Sequence, residues 1–381
     1  MDLRDTPAEA EFRAELRAWI EANLPQDKRA GRGGAQRFED PFVRDWSRKL
    51  YEAGYAGLTW PKEYGGAGAP YSFQAIFYEE MAAAQAPPHV GVIGLGMAGP
   101  TIIAHGTEEQ KARYLQPLLA AEEIWCQGFS EPDAGSDLAS ARTRADRRGD
   151  VYVVNGQKVW SSFAHIADFC ILVTQSDPQA PRYRNLTYLI VDMRSPGVEV
   201  RPLRQITGEA EFNEIFFSDV EVPVENRLGD EGDGWNVAMT TLLHERGTLG
   251  FALTATLDAG VTRLLDLARE HVNGNERLRE KVAHEWIELQ ALRYTNYRAL
   301  GTYERTGIPG PEGSGVKLRW SEANQRMTKL ARALQGSEGI LDDGWWQHQQ
   351  LRSRGNTIEA GTSEVLRNII AERVLGLPRS R

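Results

Sequence analysis

Cysteine is scarce in this sequence. Only Cys126 and Cys170 occur among 381 residues, and their spacing forms no C-x-x-C pair. The cysteines therefore predict neither a metal site nor a redox dithiol. Because few thiols are typical of proteins kept in a reducing compartment, we expect a cytoplasmic protein.

An excess of positive charge and long apolar runs are lacking as well. The chain carries 44 Lys and Arg against 53 Asp and Glu, a formal net charge of -9. Nucleic acids select basic surfaces, so we predict no nucleic-acid partner, although a local pocket can still hold an anionic ligand. The longest apolar stretches fall well short of the roughly 18 residues that a transmembrane helix needs. We therefore predict no membrane span, and the polar, acidic segment Met1 to Ala10 does not resemble a signal peptide.

The glycine motifs of common nucleotide-binding folds are also missing. Residues 91–96, Gly-Val-Ile-Gly-Leu-Gly, resemble a glycine loop only loosely, and no strand pattern precedes them. A glycine loop needs a strand before it and a helix after it to present its backbone to phosphates. We therefore expect no dinucleotide site there.

Hydrophobic periodicity divides the chain into three parts. In residues 1–122, Phe12, Leu16 and Ile20 recur at helical spacing, and Thr107 to Gln110 has the pattern of a capping box. Residues 123–231 have strand patterns, and residues 232–381 return to helical periods. We predict an α+β fold with an N-terminal α domain, a middle β domain and a C-terminal four-helix bundle.

Within the middle part, individual strands can be predicted. Two apolar runs flank Asn155-Gly156, the usual signature of a β-hairpin turn, so a hairpin is predicted over residues 151–160. Further strands are predicted at 169–174, 186–191 and 215–222. In the last part, the predicted helices cover residues 235–270, 277–305, 316–337 and 357–375.

Three segments have compositions suited to ligand binding. Residues 128–137 combine small residues, hydroxyls and turn formers, which let backbone N–H groups converge on a ligand. Residues 155–162 place Trp160 before two serines, which suits a planar ligand. Residues 357–370 contain Thr362, a predicted helix N-cap. Each segment also has a purely structural interpretation, as a capped loop, a hairpin with a core tryptophan, and a capped helix.

Taken together, the three segments resemble the signatures of the acyl-CoA dehydrogenase family, and the resemblance runs nearly end to end. The matching motifs are Ser130-Glu131-Pro132-x-Ala134-Gly135-Ser136-Asp137, Asn155-Gly156-x-Lys158-x-Trp160, and Gly361-Thr362-Ser363-Glu364 followed by Arg367. The resemblance implies an enzyme that dehydrogenates an acyl-CoA thioester between its α and β carbons, with FAD in a cleft between the β domain and the C-terminal helices.

The resemblance also assigns cofactor contacts. Phe129 and Ser130 would contact the flavin ring by backbone or hydroxyl. Trp160 would lie along the isoalloxazine, with Ser162 near N5. The remaining assignments are Ser136 near the pyrophosphate or the thioester, and Thr362 and Glu364 at the adenosine part.

The base departs from the best-known members of that family. They carry a Glu immediately before the Gly-Thr of the third motif, where this sequence has Ala360. A minority carry it on a helix of the C-terminal domain just before an Arg, and Glu245-Arg246 stand at the matching place. We therefore predict Glu245 as the base, with Glu359 as the weaker candidate and the lack of any base as a third possibility. The resemblance places Arg246 and the backbone N–H of Ala360 on the substrate side, the latter polarising the thioester oxygen.

A second departure concerns assembly. The family often has an Arg-x-x-Phe-Gly stretch that reaches the FAD of a neighbouring subunit, and residues 269–281 lack it. The resemblance implies a homotetramer or homodimer, with a heterotetramer containing an unlike subunit left open, and an electron-transferring flavoprotein as acceptor. Two alternatives also stay open: an oxidase or monooxygenase on the same fold, and a non-catalytic subunit of a heteromer.

Overall fold

The computed structural model describes residues 4–28, 40–272, 274–306, 310, 312–341 and 344–379, except for the side chains of 245–249, 306 and 312. The helices and strands follow one another as α1 (Pro7–Asn23), α2 (Pro41–Glu52), α3 (Tyr71–Ala83), α4 (Gly99–His105), α5 (Glu108–Leu119), β1 (Trp125–Gly128), β2 (Arg144–Arg148), β3 (Val151–Ser162), β4 (Phe169–Gln175), β5 (Leu186–Asp192), β6 (Val198–Leu203), β7 (Phe212–Pro223), α6 (Gly234–His271), α7 (Glu276–Thr306), α8 (Glu312–Leu334), α9 (Trp345–Arg352) and α10 (Ser363–Ile369).

The chain forms two compact units. The first, here called the sheet unit, comprises Arg37–Gly68 and Pro88–Glu245. The second, here called the helical unit, comprises Met1–Gln36, Ala69–Pro87 and Arg246–Arg381. The division therefore falls inside α6, between Glu245 and Arg246.

A mixed sheet forms the centre of the sheet unit. Its strands follow the order β1-β4-β2-β3-β7-β6, and β5 pairs with β4 outside this path. β4 is parallel to β1 and antiparallel to β5, while β3 and β7 form a long antiparallel pair. β4 and β5 are buried along almost their whole length, which explains why their sequences are continuously apolar rather than alternating.

The strands predicted around residues 169, 186 and 215 are confirmed as β4, β5 and β7. The predicted hairpin at Asn155-Gly156 is wrong, because both residues lie inside the continuous strand β3. The chain instead reverses before this strand, at Gly149 and Asp150, which connect β2 to β3. Asn155 instead pairs by its side-chain amide with Asp219 of β7, and a register shift follows it. The Asn-Gly pair therefore marks a bulge rather than a turn.

In the helical unit, the core is made by α6, α7 and α8. Leu257, Leu264, Leu289, Met327 and Ala331 belong to one buried cluster. Burying such side chains contributes about 1.5–3 kcal/mol each relative to exposure. The long helices predicted at 235–270, 277–305 and 316–337 are confirmed as α6, α7 and α8, with ends displaced by a few residues.

α1 and α3, which belong to the same unit, are joined by both apolar and ionic contacts. The rings of Phe12 and Phe73 stack with centroids 4.5 Å apart. Arg13 donates to the carboxylates of Glu79 and Glu80, and Glu80 is buried. Burial of a carboxylate requires such partners, so this pairing fixes how α1 lies on α3.

The two helix starts predicted from capping residues are confirmed. Thr107 caps α5 and forms a complete capping box with Gln110. Thr362 caps α10 by accepting a hydrogen bond from Val365 N. Residues 357–361, predicted to be helical, form turns before this cap, and the sequence analysis missed α9.

The two cysteines lie side by side in the sheet. Cys126 of β1 and Cys170 of β4 are register partners, and both are free and completely buried. Burial raises the pKa of Cys126 well above its ordinary value. Among the described residues, no group of side chains forms a metal site, and no helix is long and apolar enough to cross a membrane.

Candidate functional site

A buried ion pair joins the first two motif segments within the sheet unit. Lys158 of β3 is fully buried, and its Nζ donates to Glu131 Oε1 at 2.7 Å and to the Phe129 carbonyl at 3.1 Å. The same carboxylate accepts the backbone N–H groups of Arg142 and Thr143. The loop after β1 is therefore held against β3 by charge-assisted hydrogen bonds that are shielded from water.

The pKa values of this pair follow from its surroundings. Burial raises the pKa of Glu131, but the Lys158 ammonium and two backbone donors outweigh it, so the pKa lies below its ordinary value. Burial lowers the pKa of Lys158, and Glu131 counteracts this. The charged pair is stabilised only while both partners remain in place.

Close packing brings β1 and β4 together at the start of this loop. Gly128 has no side chain, and a Cβ there would lie 2.7 Å from Leu172 Cδ1 and 2.9 Å from Cys170 Sγ. The next ring, Phe129, is buried and packs edge-on to Tyr188 with centroids 5.8 Å apart. The Phe129 ring therefore belongs to the core, while its carbonyl accepts the hydrogen bond from Lys158.

Trp160 is the exposed aromatic residue of this region. Trp160 is 60% exposed. Its φ is +60°, which is rare for a residue with a large aromatic side chain. The β3–β7 register shifts between Lys158 and Ser161, so Trp160 lies in a bulge, which re-aims a side chain out of the sheet. Backbone strain at an exposed aromatic residue is typical of ligand-binding positions.

The structure brings three predicted residues of this unit to neighbouring positions. The Ser130 carbonyl accepts the N–H of Val159, which places Ser130 beside the residue that precedes Trp160. Ser162 follows two residues later at the end of β3 and pairs in register with Phe212, whose ring lies edge-on to Trp160. Both serines are partly exposed. This end of β3 therefore offers one aromatic face and two hydroxyls.

Ser136 lies apart from that group, on an exposed turn. Its neighbour Asp137 accepts hydrogen bonds from Arg182 and from Ser140 Oγ. No contact in the described residues joins Ser136 to Trp160. Its assignment to a ligand remains a prediction.

Near the end of the sheet unit, buried hydroxyls anchor the first turns of α6. Thr241 Oγ1 lies 2.9 Å from both Thr101 Oγ1 and Tyr188 OH, and donates to the Val237 carbonyl. All three hydroxyl-bearing side chains are completely buried. Thr241 stands one helical turn before position 245, so this network fixes the direction in which α6 reaches that position.

Two histidines flank the same part of α6. His105 Nε2 lies 2.8 Å from Thr240 Oγ1, and burial lowers the pKa of His105. Burial, together with the charge of His105, lowers the pKa of His244. Both rings are therefore neutral at pH 7. The predicted base Glu245 and its neighbour Arg246 belong to α6, but their side chains lie outside the described residues.

The third motif lies in the helical unit. Ala360 has a φ of +50° and Gly361 a φ of +90°, and Thr362 then caps α10. Glu364 stands in the first turn of α10 and is largely exposed. Its Oε1 lies 3.9 Å from Arg367 Nη1. The left-handed Ala360 costs about 1–2 kcal/mol relative to an ordinary conformation, and a strained residue of this kind marks a candidate functional position.

Glu359, the weaker candidate for the base, is engaged with neighbouring side chains. Arg352 donates to both of its carboxylate oxygens, at 3.2 and 2.9 Å, and Asn356 Nδ2 donates to Oε1 at 2.8 Å. A bidentate arginine holds a carboxylate in a fixed geometry. Glu359 is therefore held by its own segment, which does not suit a base that must reach a substrate.

The sequence analysis missed the polar residues that support these segments. Lys158 was recognised as part of a motif, but its pairing with Glu131 was not. On α8, Ser314, Lys317, Ser321 and Thr328 are all buried and recur at helical spacing. That polar stripe was the signal that could have found Lys317, whose contacts are described below.

The chain matches known protein families and relatives over nearly its whole length. The chain matches the models of the acyl-CoA dehydrogenase N-terminal domain over residues 6–122, the middle domain over 126–220 and the C-terminal domain over 232–375. It is 42% identical to acyl-CoA dehydrogenase IpdE1 of Mycobacterium tuberculosis over 97% of this chain and 98% of the relative.

Two solved structures are similar to the chain over its whole length. The Tcur3481–Tcur3483 steroid ACAD has 31% identity and a TM-score of 0.88, with all of both chains covered. The ChsE4–ChsE5 complex of Mycobacterium tuberculosis has 30% identity and a TM-score of 0.88, again with full coverage of both chains.

Proposed function

The chain belongs to the acyl-CoA dehydrogenase family of flavin-dependent oxidoreductases, and we propose that it removes two hydrogens from the α and β carbons of an acyl-CoA thioester. The observation that carries this proposal is Trp160, exposed and strained at the end of β3 beside the Ser130 backbone. An aromatic face with neighbouring hydroxyls and backbone groups fits the planar, hydrogen-bonding ring of a flavin. When bound, FAD would supply the hydride acceptor at N5.

Within this proposal the chain's residues have distinct roles. Trp160 packs along the flavin ring, the backbone of Phe129 and the hydroxyls of Ser130 and Ser162 hydrogen-bond it, and Ser136 contacts the pyrophosphate or the thioester. In the helical unit, Thr362 and Glu364 contact the adenosine part. Arg246 lies on the substrate side. These assignments rest on the motif match, and on the exposure of Trp160 and the partial exposure of both serines.

We propose Glu245 as the base that takes the α proton. Ala360 provides no carboxylate, and Glu359 is held by Arg352 and Asn356. The nearby rings of His105 and His244 are neutral at pH 7 because burial lowers their pKa values. These two rings therefore place no positive charge beside the part of α6 that leads to position 245.

The backbone N–H of Ala360 would activate the thioester carbonyl. Removal of the α proton leaves negative charge on the thioester oxygen, and a fixed N–H donor stabilises that charge as in an oxyanion hole. A donor of this kind contributes on the order of a few kcal/mol to the transition state. The loss of a side-chain base at position 360 therefore leaves this second role intact.

We propose a bulky acyl group as the substrate. The Tcur3481–Tcur3483 structure, which covers all of this chain, is described as a steroid ACAD. A steroid-derived acyl-CoA is therefore the substrate class to test first, ahead of straight short chains.

We also propose that the chain functions in an oligomer with an unlike, related subunit, and that its electrons pass to an electron-transferring flavoprotein. Two similar structures are named as pairs, ChsE4–ChsE5 and Tcur3481–Tcur3483. Native mass spectrometry of the flavin-bearing complex tests this. A complex that contains only copies of this chain would make the enzyme a homo-oligomer.

Anaerobic flavin bleaching against a panel of acyl-CoA thioesters tests the proposed reaction. We expect a steroid-derived acyl-CoA to bleach the flavin faster than straight, branched or dicarboxylic ones. The reduced enzyme should then react slowly with air and quickly with an electron-transferring flavoprotein. Fast reaction with air would indicate an oxidase or monooxygenase instead, and a flavin that no thioester bleaches would contradict the dehydrogenase.

Glu245→Gln tests the base. Because a general base contributes typically about 10²–10⁴-fold, we expect flavin reduction to slow by about 10³-fold while FAD stays bound. Glu359→Gln is the matched control and should retain most of the rate, since its carboxylate is committed to Arg352. A Glu245→Gln enzyme with near wild-type reduction would exclude Glu245 as the base.

A further inference from the structure

Lys317 of α8 holds both ends of the turn that contains Ala360. Lys317 is only 4% exposed. Its Nζ donates to the Asn356 carbonyl at 2.7 Å and to the Gly361 carbonyl at 2.8 Å. An ammonium group is costly to bury unless its hydrogen bonds are satisfied. Lys317 satisfies two of them on backbone carbonyls that precede and follow Ala360.

Other side chains of α8 strengthen the same anchor. Ser321 Oγ donates to the Asn356 carbonyl at 2.8 Å, and Asn324 Nδ2 donates to Asn356 Oδ1 at 2.8 Å. Gln325 Nε2 reaches the Ser353 carbonyl at 2.9 Å. One face of a long helix therefore determines where the turn lies, and the helix itself is rigid because it belongs to the core of the helical unit.

The turn needs such an anchor because its backbone is strained. Ala360 and Gly361 are both left-handed, and alanine tolerates that conformation only when the surroundings enforce it. The Gly361 carbonyl that Lys317 binds belongs to the residue directly after Ala360. Releasing it would let this backbone relax toward ordinary angles and turn the Ala360 N–H away from its present direction.

We propose that Lys317 is a positioning residue for the Ala360 N–H, the donor to the thioester oxygen. The inference rests on the proposed function, because it needs a thioester at that N–H. Lys317 acts through the backbone and touches neither substrate nor cofactor. Misplacement of a reacting group by about 1 Å costs on the order of 100-fold in rate, so we expect a loss of that size when the anchor is removed.

Lys317→Met in the flavin-loaded enzyme is the principal test. Methionine keeps the length of the side chain but donates no hydrogen bond. We expect anaerobic flavin reduction by the best acyl-CoA of the panel to slow about 100-fold, with little change in the thioester concentration at half-saturation. Reoxidation of the reduced flavin by ferrocenium, which involves no thioester carbonyl, should stay at the wild-type rate.

Hydrogen–deuterium exchange gives a readout apart from activity. In the Lys317→Met enzyme, the amides of residues 356–362 should exchange at least about tenfold faster than in the wild type, while those of α7 remain unchanged. Lys49→Met, which removes a partly exposed lysine paired with Asp45, is the control for loss of a lysine. It should alter neither the exchange nor the reduction rate.

Milder variants keep the test decisive if Lys317→Met loses flavin or fails to fold. Lys317→Gln keeps an N–H donor group on a shorter, uncharged side chain, and Ser321→Ala removes a hydroxyl that donates to the Asn356 and Lys317 carbonyls while leaving Lys317 itself in place. Each should slow reduction several-fold with ferrocenium reoxidation unchanged. Flavin reduction at the wild-type rate in these variants would overturn the role of Lys317 but not the proposed function. Equal slowing of flavin reduction and of reoxidation by ferrocenium would do the same. A wild-type flavin that no acyl-CoA bleaches would overturn the proposed function together with it.

Discussion

At the residue scale, the buried pair of Lys158 and Glu131 explains why the first two motifs occur together. The Lys158 side chain is completely inaccessible and the Glu131 side chain is 8% accessible, and their charged atoms are 2.7 Å apart. One partner supplies the carboxylate that orders the loop, and the other ties that loop to β3. Either residue without the other would leave an unpaired charge in the core.

Lys158→Met tests this dependence. Removing one partner of a buried pair costs about 3–5 kcal/mol, so we expect the free energy of unfolding to fall by that amount. Urea unfolding measures it, with Glu131→Gln and the double variant completing a cycle. A coupling free energy near zero would contradict the pairing. Arg201→Met removes an exposed ion pair with Glu199 and a cation–π contact with Phe216, and it should shift the urea midpoint far less than Lys158→Met does.

At the element scale, α6 is held by the hydroxyl network of Thr101, Tyr188 and Thr241. These side chains come from α4, β5 and α6, so a single group of hydrogen bonds connects a helix, a strand and the helix that leads to the proposed base. Each hydroxyl is buried, and a buried hydroxyl without a partner is costly. The network therefore fixes the first turns of α6, up to position 245, within the sheet unit.

Thr241→Val should destabilise the protein although its volume hardly changes. Tyr188 OH would lose its hydrogen-bond partner, whereas Thr101 Oγ1 keeps the Met97 carbonyl. Leaving a buried polar group unsatisfied costs about 1–3 kcal/mol. Chemical unfolding of both proteins measures the difference. Thr256→Val removes an exposed hydroxyl of the same helix that bonds only the Ala252 carbonyl, and it should cost less than about 0.5 kcal/mol. Equal effects of the two substitutions would argue against the network.

Element prediction from the sequence succeeded where local chemistry was decisive. Thr107 and Thr362 were predicted as caps and cap their helices, because capping depends on a few neighbouring residues. Asn155-Gly156 was predicted as a turn and is a bulge, because Asn155 found a partner on β7, which is distant in sequence. The strained Ala360 could not be predicted, since its conformation depends on Lys317, which lies far away in the sequence.

The three-part fold was predictable, and the assembly of the site was not. The order of helical, strand and helical patterns gave the fold class, and the family comparisons confirm it. The boundaries at residues 122 and 231 stay a prediction. The supporting polar residues escaped the sequence analysis because a buried lysine looks like a surface lysine until its partners are known.

At the scale of the whole molecule, acid should weaken the fold through His89. This residue is buried, its Nδ1 accepts the Gly91 N–H, and burial lowers its pKa to about 4. The unfolded chain, with an ordinary pKa of 6.5, takes up the proton first as the pH falls. The unfolding free energy is therefore lost progressively from about pH 6.5 down to the native pKa.

Urea unfolding at pH 7, 6 and 5 measures this effect. His89 should account for about 2 kcal/mol of the loss between pH 7 and pH 5. His89→Asn keeps an acceptor for the Gly91 N–H. The variant should lose about 2 kcal/mol less unfolding free energy than the wild type between pH 7 and pH 5. An identical slope for His89→Asn would show that other groups cause the acid sensitivity.

The two adjacent buried cysteines allow opening of the sheet to be measured by thiol labelling. Cys126 and Cys170 lie on adjacent strands with no exposed surface, and the high pKa of Cys126 keeps its sulfur protonated as well as hidden. An alkylating reagent can mark either sulfur only in a molecule whose strands have come apart. The fraction of labelled thiol therefore reports how often the sheet has opened. The native sequence already contains the probe, so no cysteine needs to be introduced.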